Sequence, residues 1–341
     1  MTSYDTIHTF PLEDGKFLFF DIFLANSQVI MICPKWVDII NIQVFNEKRE
    51  TIPLKSCEET LDWHSTGITI AKFDLPTSKE FQNIHVVYKT IENSFCLTEN
   101  ISRQKYSLTM TTLFKNDFYL LDKYISYYTN QGIEHFYLYY NGLFDDFKNK
   151  YVCLENPNIT WLEWNHEYHI DGDSEKGMSH AQFSQMNHAL LKYGGLTEYM
   201  GFNDLDEYMT VQMNDLKLRD LIEIELLQEE DQRLKTISFL NSWSTIGKHV
   251  PDSFPFEFYS SVKYDPYGLH SKCIHRTKYI SLIQNIHARE RFVGKDEVSF
   301  INTDLLLFHF YYWSTLNREV DIGNCIPYVM DISGNISKNY V

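Results

Sequence analysis

The hydrophobic pattern changes period after Arg103, and that change restricts the possible folds more than any single residue does. Before it, short apolar runs recur with turn residues between them: Phe17 to Leu24, Val29 to Cys33, Ile39 to Phe45, Ile68 to Phe73, Ile84 to Tyr88 and Phe95 to Thr98. Ala25-Asn26-Ser27-Gln28, Asn46-Glu47-Lys48 and Asn93-Ser94 supply turns, and helical periodicity is almost absent. Residues 1–104 therefore predict an all-β, sandwich-like antiparallel domain. From residue 105 to 341, strands alternate with helix-length amphipathic segments, the pattern of an α/β layer.

Within that second part, Tyr106 to Leu113 predicts a strand. A helix follows, with Asn116 as its N-cap, Phe118, Leu121, Ile125 and Tyr128 on one face, and Gly132 as its stop. His135 to Tyr140 and Ile159 to Trp164 are the next strands, and His166 to His180, rich in Gly, Asp and Ser, reads as a loop. Ala181 to Tyr193 predicts a helix closed by Gly194-Gly195, and Tyr199 to Asn203 a buried strand.

Of the 341 residues, 44% are hydrophobic and 16% aromatic, enough apolar surface for two folded domains. Thirty Lys plus Arg against 46 Asp plus Glu leave a net charge of -16, which argues against a general grip on nucleic acid or an anionic membrane. An anionic ligand then needs local help, such as a metal. Cys33, Cys57, Cys96, Cys153, Cys273 and Cys325 form no Cys-x-x-Cys pair, so neither a zinc site nor a disulfide framework is read from them. The start lacks a basic leader, and Asp21, Asn26, Ser27 and Gln28 interrupt the most apolar early run. The expectation is a cytoplasmic protein with at most peripheral contact at the inner membrane face, its sequons at Asn100, Asn158 and Asn335 unused. Trp36, Trp63 and His64 are either a sugar-stacking platform or core aromatics.

The segment Tyr199-Met-Gly-Phe-Asn203-Asp204-Leu205-Asp206-Glu207 places three carboxylates directly after an apolar strand, where open α/β sheets bind ligands. If the segment is extended, residues i and i+2 share a side, so Asp204 and Asp206 can converge on one hard cation while Leu205 packs the other way. Mg²⁺ or Mn²⁺ suits such oxygen ligands and would bridge to a diphosphate. A solvated strand end explains the same acids equally well. Asp171-Gly172-Asp173 reads as a turn.

Several further motifs, in order, resemble those of glycosyltransferase family 92, a nucleotide-sugar-dependent group with the GT-A fold. Lys115-Asn116-Asp117, with Tyr119-Leu120 and Gly132-Ile133, resembles the family's opening signature; His135 to Asn141 resembles its second strand, and Trp164 stands where the family closes the third. Gln182 and Asn187 fit its Gln-x-x-x-x-Asn helix, and Phe202 to Tyr208 its acidic core. Trp243 to His249, Lys272 to Arg276 with His287 behind it, and His309 to Ser314 are similar to its later motifs. Asp117 stands where the family has Glu, Tyr140 where it has Asp and Trp313 where it has Lys, and two residues fewer precede His249.

The resemblance implies an α/β GT-A domain over about residues 106–341 that moves a hexose, such as galactose from UDP-galactose, to a glycan or lipid-linked glycan with inversion. It implies that Asp204 and Asp206 bind the divalent ion and the donor diphosphate or ribose, with His309 completing the site. Asn116, Asn141 and Asp145 fall where a GT-A domain holds base and ribose, with capping and turn roles as the alternatives. Lys115, His287 and the nearby Arg289 or Arg291 are candidates for phosphate contact. Asp252, Glu257 and Glu207, in that order, are candidates to deprotonate the acceptor hydroxyl. Phe254, Phe256, Phe258 and Tyr259 are core aromatics or an acceptor-stacking surface. The rival readings are an Asp-x-Asp phosphotransferase and a non-catalytic carbohydrate-binding protein with a structural Ca²⁺ site.

Overall fold

The structure is a computed structural model that describes residues 3–61, 67–75, 81–98, 105–151, 155–171, 178–211, 216–230, 233–244, 261–264, 271–284, 290–292, 299–309 and 329–331. After the short β1 (Ser3–Asp5), the first part of the chain forms two antiparallel sheets. β2 (Asp21–Ala25), β3 (Gln28–Pro34), β5 (Leu54–Leu61) and β6 (Gly67–Asp74) make one in the order β2-β3-β6-β5; β4 (Ile42–Phe45), β7 (Phe81–Tyr88) and β8 (Ile91–Thr98) make the other. Between them lies a core of Phe19, Ile22, Leu24, Val29, Met31, Val44, Ile84, Val86 and Leu97. The run expected as a strand from Phe17 is continuous with β3 only from Asp21; before it Phe17 bridges Pro11 and Leu18 N–H donates to the Phe10 carbonyl, while Asn26 and Ser27, at positive φ, make the tight β2-β3 hairpin. β5 was not expected: its Leu-Lys-Ser-Cys-Glu-Glu-Thr-Leu sequence is too polar to stand out, as befits a sheet edge.

The second part is the α/β layer. β9 (Tyr106–Phe114), α1 (Phe118–Asn130), β10 (His135–Tyr140), the short α2 (Phe144–Lys148) and β11 (Ile159–Glu163) follow in turn. β12 (His169–Asp171) and β13 (Met178–His180) pair as an antiparallel ribbon inside the expected loop, and α3 (Ala181–Tyr193) leads to β14 (Thr197–Phe202). β15 (Glu207–Val211), α4 (Leu218–Leu227), β16 (Thr236–Ser244), β17 (Ser261–Tyr264), β18 (Lys272–Arg276), β19 (Ile280–Ile283), β20 (Glu290–Phe292), β21 (Ser299–His309) and β22 (Val329–Asp331) complete the described elements.

Among the described residues eleven strands form the main sheet, in the order β1-β11-β10-β9-β14-β18-β16-β17-β22, with β21 on β16 and β15 on β21. β1, β11, β10, β9 and β14 run parallel, while β18 reverses against β14. One face of this mixed sheet is covered by α1 and α4, through Leu120, Leu121, Tyr124, Leu218 and Ile222. The other is covered by α3 together with Phe20, Phe23, Ile30, Ile32, Ile68 and Ile70 of the N-terminal sheet. The core is thus continuous across residue 104, where the sequence pattern predicts a boundary, and β1 lies in the main sheet itself.

A buried charged network ties the same junction. Asp21 accepts from His188 Nε2 at 2.7 Å and lies 3.4 Å from Lys192 Nζ, which is 3.2 Å from Asp5. The Tyr139 hydroxyl meets His188 Nδ1 at 2.6 Å, and the Tyr193 hydroxyl donates to Asp5.

Candidate active site

The acidic segment leaves β14 at the carboxyl end of the parallel strands and turns at once. Glu207 N–H donates to the Asp204 carbonyl at 3.1 Å, and the Glu207 carboxylate accepts from Asp204 N–H at 2.8 Å. The extended backbone expected from Asp204 to Asp206 is corrected by this turn, and both carboxylates lie within electrostatic reach of His309 and Glu207. Leu205 is buried as expected. The turn is held from beneath by tyrosines of α1. Tyr124 donates to Asn203 Oδ1 at 2.6 Å, and Tyr127 to the Met209 carbonyl at 2.7 Å. The Tyr128 hydroxyl donates to the Glu207 carbonyl and accepts from Met209 N–H, both at 2.9 Å, and accepts from Asn203 Nδ2 at 2.6 Å.

Two cationic side chains face the carboxylates. Lys272, at the start of β18, places Nζ 3.1 Å from Asp204 Oδ2 and 3.4 Å from Glu207 Oε2. His309, at the end of β21, has Nε2 3.6 Å from Asp206 Oδ2 and Nδ1 3.6 Å from Glu207 Oε1. Register explains both. β21 sets His309 opposite Glu207, and β18, paired with β14 up to Cys273 opposite Phe202, brings Lys272 to the strand end from which Asp204 emerges. On the remaining side, Gln182 in the first turn of α3 donates to Asp204 Oδ1 at 2.5 Å and accepts from the Tyr168 hydroxyl at 2.7 Å.

Burial and these neighbours set the protonation states. Glu207 is pushed up to about 7, chiefly by burial, with Lys272 acting the other way. Burial disfavours the Lys272 charge, but Asp204 and Glu207 outweigh it and hold the ammonium above the ordinary lysine range. For His309 burial is likewise outweighed, by Asp206 first and then Glu207, and its pKa is raised. The turn therefore carries carboxylates and cations packed against each other, with the Asp204 side chain 35% exposed and the Lys272 side chain 4%.

The donor set also fits a divalent ion. Asp204 and Asp206 supply hard carboxylate oxygens at a strand end, and Mg²⁺ or Mn²⁺ characteristically takes one or two carboxylates and completes its shell from substrate phosphate and water. Among the described residues no three His, Cys, Asp or Glu side chains are grouped closely enough to hold a metal by themselves.

The sequence profile of glycosyltransferase family 92 matches residues 104–322, a span that contains this turn and the two cations facing it. The chain belongs to glycosyltransferase family 92. Of characterised proteins, it is 28% identical over 147 residues to the beta-1,4-galactosyltransferase galt-1 of Caenorhabditis elegans; the match takes in 42% of this chain and 33% of that protein's length. A solved 4-diphosphocytidyl-2C-methyl-D-erythritol synthase from Anaerococcus prevotii aligns over 51% of this chain and 71% of its own, with 11% identity and a TM-score of 0.26.

The other candidate residues of this family 92 chain are dispersed. Lys115 and Asn116 are exposed in the loop after β9, and the α1 N-cap residue is Asp117, so the capping role expected of Asn116 is corrected by one position. Asn141 is buried and donates to the Trp164 and His166 carbonyls at 2.9 and 2.7 Å, clasping the ends of β10 and β11. Asp145 is exposed in the first turn of α2. Asp252, Glu257, His287, Arg289, the stretch Phe254, Phe256, Phe258 and Tyr259, His249, Trp313, Trp63, His64 and Asp173 lie outside the described residues; of Arg291 only the backbone, in β20, is described. Trp36 packs against both the core between the N-terminal sheets and the core they share with the α/β layer. Cys33, Cys57, Cys96 and Cys273 are free.

Lys272 and Gln182 were visible in the sequence as motif members but carried no assigned contact. A lysine inside the apolar Cys273-Ile274 context of a strand was the available signal, because such a residue is buried only against carboxylates. The tyrosines of α1 gave less warning: at helical spacing they read as core.

Proposed function

We propose that this chain is a glycosyltransferase that moves a hexose, galactose from UDP-galactose being the first candidate, from a nucleotide sugar to a glycan acceptor with inversion. The observation that carries the reading is the acidic turn Asp204 to Glu207 at the carboxyl ends of the main sheet, inside the span that matches the family. The galactosyltransferase name of the worm relative supports the choice of sugar.

In this reading Asp204 and Asp206, with His309 beside them, would hold Mn²⁺ or Mg²⁺ against the donor diphosphate. The ion, when bound, supplies charge stabilisation for the departing nucleoside diphosphate. The chain's own residues do the rest. Gln182 and Lys272 orient Asp204 from two sides. Glu207 is 2% exposed, with its carboxylate committed to Asp204 N–H, Lys272 and His309, so its role is to hold the turn. Deprotonation of the acceptor hydroxyl then falls to Asp252 or Glu257.

Isothermal titration of UDP, GDP and CDP, each with and without Mn²⁺, tests the reading on the wild type and on the Asp204→Ala/Asp206→Ala variant. Binding of one nucleotide that strengthens with Mn²⁺ and is lost in the double variant is expected. No binding of any nucleotide under either condition would sink it.

A further inference from the structure

Lys272 is a cation that the fold has already delivered to the acidic turn. It opens β18, directly before the buried Cys273 and Ile274, and its side chain is 4% exposed. A lysine that deep persists as an ammonium only if opposite charge stands against it. Here two carboxylates do, Asp204 Oδ2 at 3.1 Å and Glu207 Oε2 at 3.4 Å. Among the described residues these two carboxylates face an ammonium that carries three N–H donors.

The charges around the turn show why that matters. Asp204, Asp206 and Glu207 are three acids in a chain of net charge -16, and a nucleotide sugar brings a diphosphate with two more negative charges. Like charges at such separations repel strongly in a half-buried site, so the turn needs resident positive charge before an anion enters. The other deeply buried lysine among the described residues, Lys192, is spent on Asp5 and Asp21 at the N-terminal junction. Lys272 is the one at the turn.

A second feature points to a polar ligand near the turn. Asn241 in β16 is wholly buried, and neither its amide oxygen nor its amide nitrogen has a partner. β16 pairs with β21 in unbroken register from Leu240 to Trp243, which sets Asn241 opposite Leu307 and on the same face as Trp243. One pair further along, Trp243 stands opposite His309, the partner of Glu207. An unpaired buried amide is costly, and a bound polar group would offset that cost.

We propose that Lys272 is a donor-binding residue, its ammonium lending fixed positive charge to the diphosphate of the nucleotide sugar while it keeps Asp204 turned into the site. This rests on the glycosyltransferase reading and adds a residue to that site. Its consequence is a metal-free component of donor binding. With EDTA the wild type retains measurable affinity for the nucleotide, and Lys272 is what supplies it.

The test is titration of UDP, in EDTA and in Mn²⁺, and of Mn²⁺ alone, into the wild type, Lys272→Met and Lys272→Arg. Loss of at least about tenfold in UDP affinity in EDTA is expected for Lys272→Met, with most of it restored by Lys272→Arg. Mn²⁺ alone should bind Lys272→Met more tightly than wild type, because Asp204 and Glu207 lose their internal counter-ion. If Lys272→Met does not fold, the comparison moves to Lys272→Met/Glu207→Gln against Glu207→Gln, in which one buried carboxylate charge is removed together with the ammonium. Equal UDP affinity in EDTA for wild type and variant, or no wild-type binding in EDTA while Mn²⁺ restores it, overturns the proposal and leaves the glycosyltransferase reading standing. A wild type that binds no nucleotide even with Mn²⁺ overturns both.

Discussion

Tyr128 uses one hydroxyl to make three hydrogen bonds, to the Glu207 carbonyl, Met209 N–H and Asn203 Nδ2. It fixes both ends of the acidic turn from the neighbouring helix. Removing that oxygen takes a bond from each of three buried groups, although Asn203 Nδ2 still donates to the Glu207 carbonyl, so Tyr128→Phe should lower stability by about 1 kcal/mol or more in urea unfolding. The same variant should weaken UDP binding in calorimetry, since the turn that carries Asp204 and Asp206 loses its anchor. Unchanged nucleotide affinity would mean the turn holds its shape without the helix. Gln182 acts from the other side, and Gln182→Ala should cost UDP affinity while leaving the urea midpoint near that of wild type, because Asp204 keeps Lys272. At this scale the sequence showed that Asp204, Asp206 and Glu207 follow a buried strand. It did not show the turn between them, because the Glu207-to-Asp204 bonds that close it are stabilised by Tyr128 and Asn203, and no local pattern announces a tyrosine's partner.

Among elements, α1 and α4 meet at one glycine. Gly132 ends α1 at φ +90°, and a Cβ there would stand 2.3 Å from Arg219 Cβ in the first turn of α4. Arg219 N–H donates to the Gln131 carbonyl, and Leu218 N–H to Gln131 Oε1, so the close approach is built into the joint. Gly132→Ala combines left-handed strain with a clash against a Cβ that cannot rotate away. A loss of more than about 1 kcal/mol in urea unfolding is expected, against the few tenths typical of a surface change. The stop signal was legible, because glycine after an amphipathic run has a local cause. So were β10, a continuous apolar run before Asn141-Gly142, and α3, stopped by Gly194-Gly195, whose expected bounds match the observed ones. β5 and the β12-β13 ribbon were not, since polar strands at sheet edges bury too little to leave a pattern.

At the scale of the molecule, the N-terminal sheets and the α/β layer share a core and a buried charge network, and both have consequences. Asp21→Asn should cost about 3–5 kcal/mol, because it strips Lys192 and His188 of a buried partner. A fragment of residues 105–341 should fail to give a cooperative unfolding transition by circular dichroism; a sharp transition would show that the α/β layer closes its own face. Stability should also fall in acid. His135 and His166 are pushed down to about 4 and His275 to about 3, each chiefly by burial, and His8 and His188 are lowered too. Below the unfolded value of about 6.5 the unfolded chain takes protons that the fold refuses, so each depressed histidine subtracts up to ~1.4 kcal/mol per pH unit until its folded value is reached. Glu207 and His309, raised in the fold, act with the opposite sign but are fewer. The urea midpoint should therefore drop between pH 6.5 and 5, and His275→Gln should flatten that slope.

The sequence by itself determined the main strands and helices between Tyr106 and Asn203, the family, and the place of the acidic cluster at the end of a buried strand, because hydrophobic period and turn residues act over a few neighbours. Which cations meet those acids was decided by tertiary structure. Lys272 lies 68 residues beyond Asp204 and reaches it only because β18 pairs with β14. His309 reaches Glu207 because β21 lies beside β15. A buried charge is stable only where an opposite charge is brought to it, and strand order is what brings it.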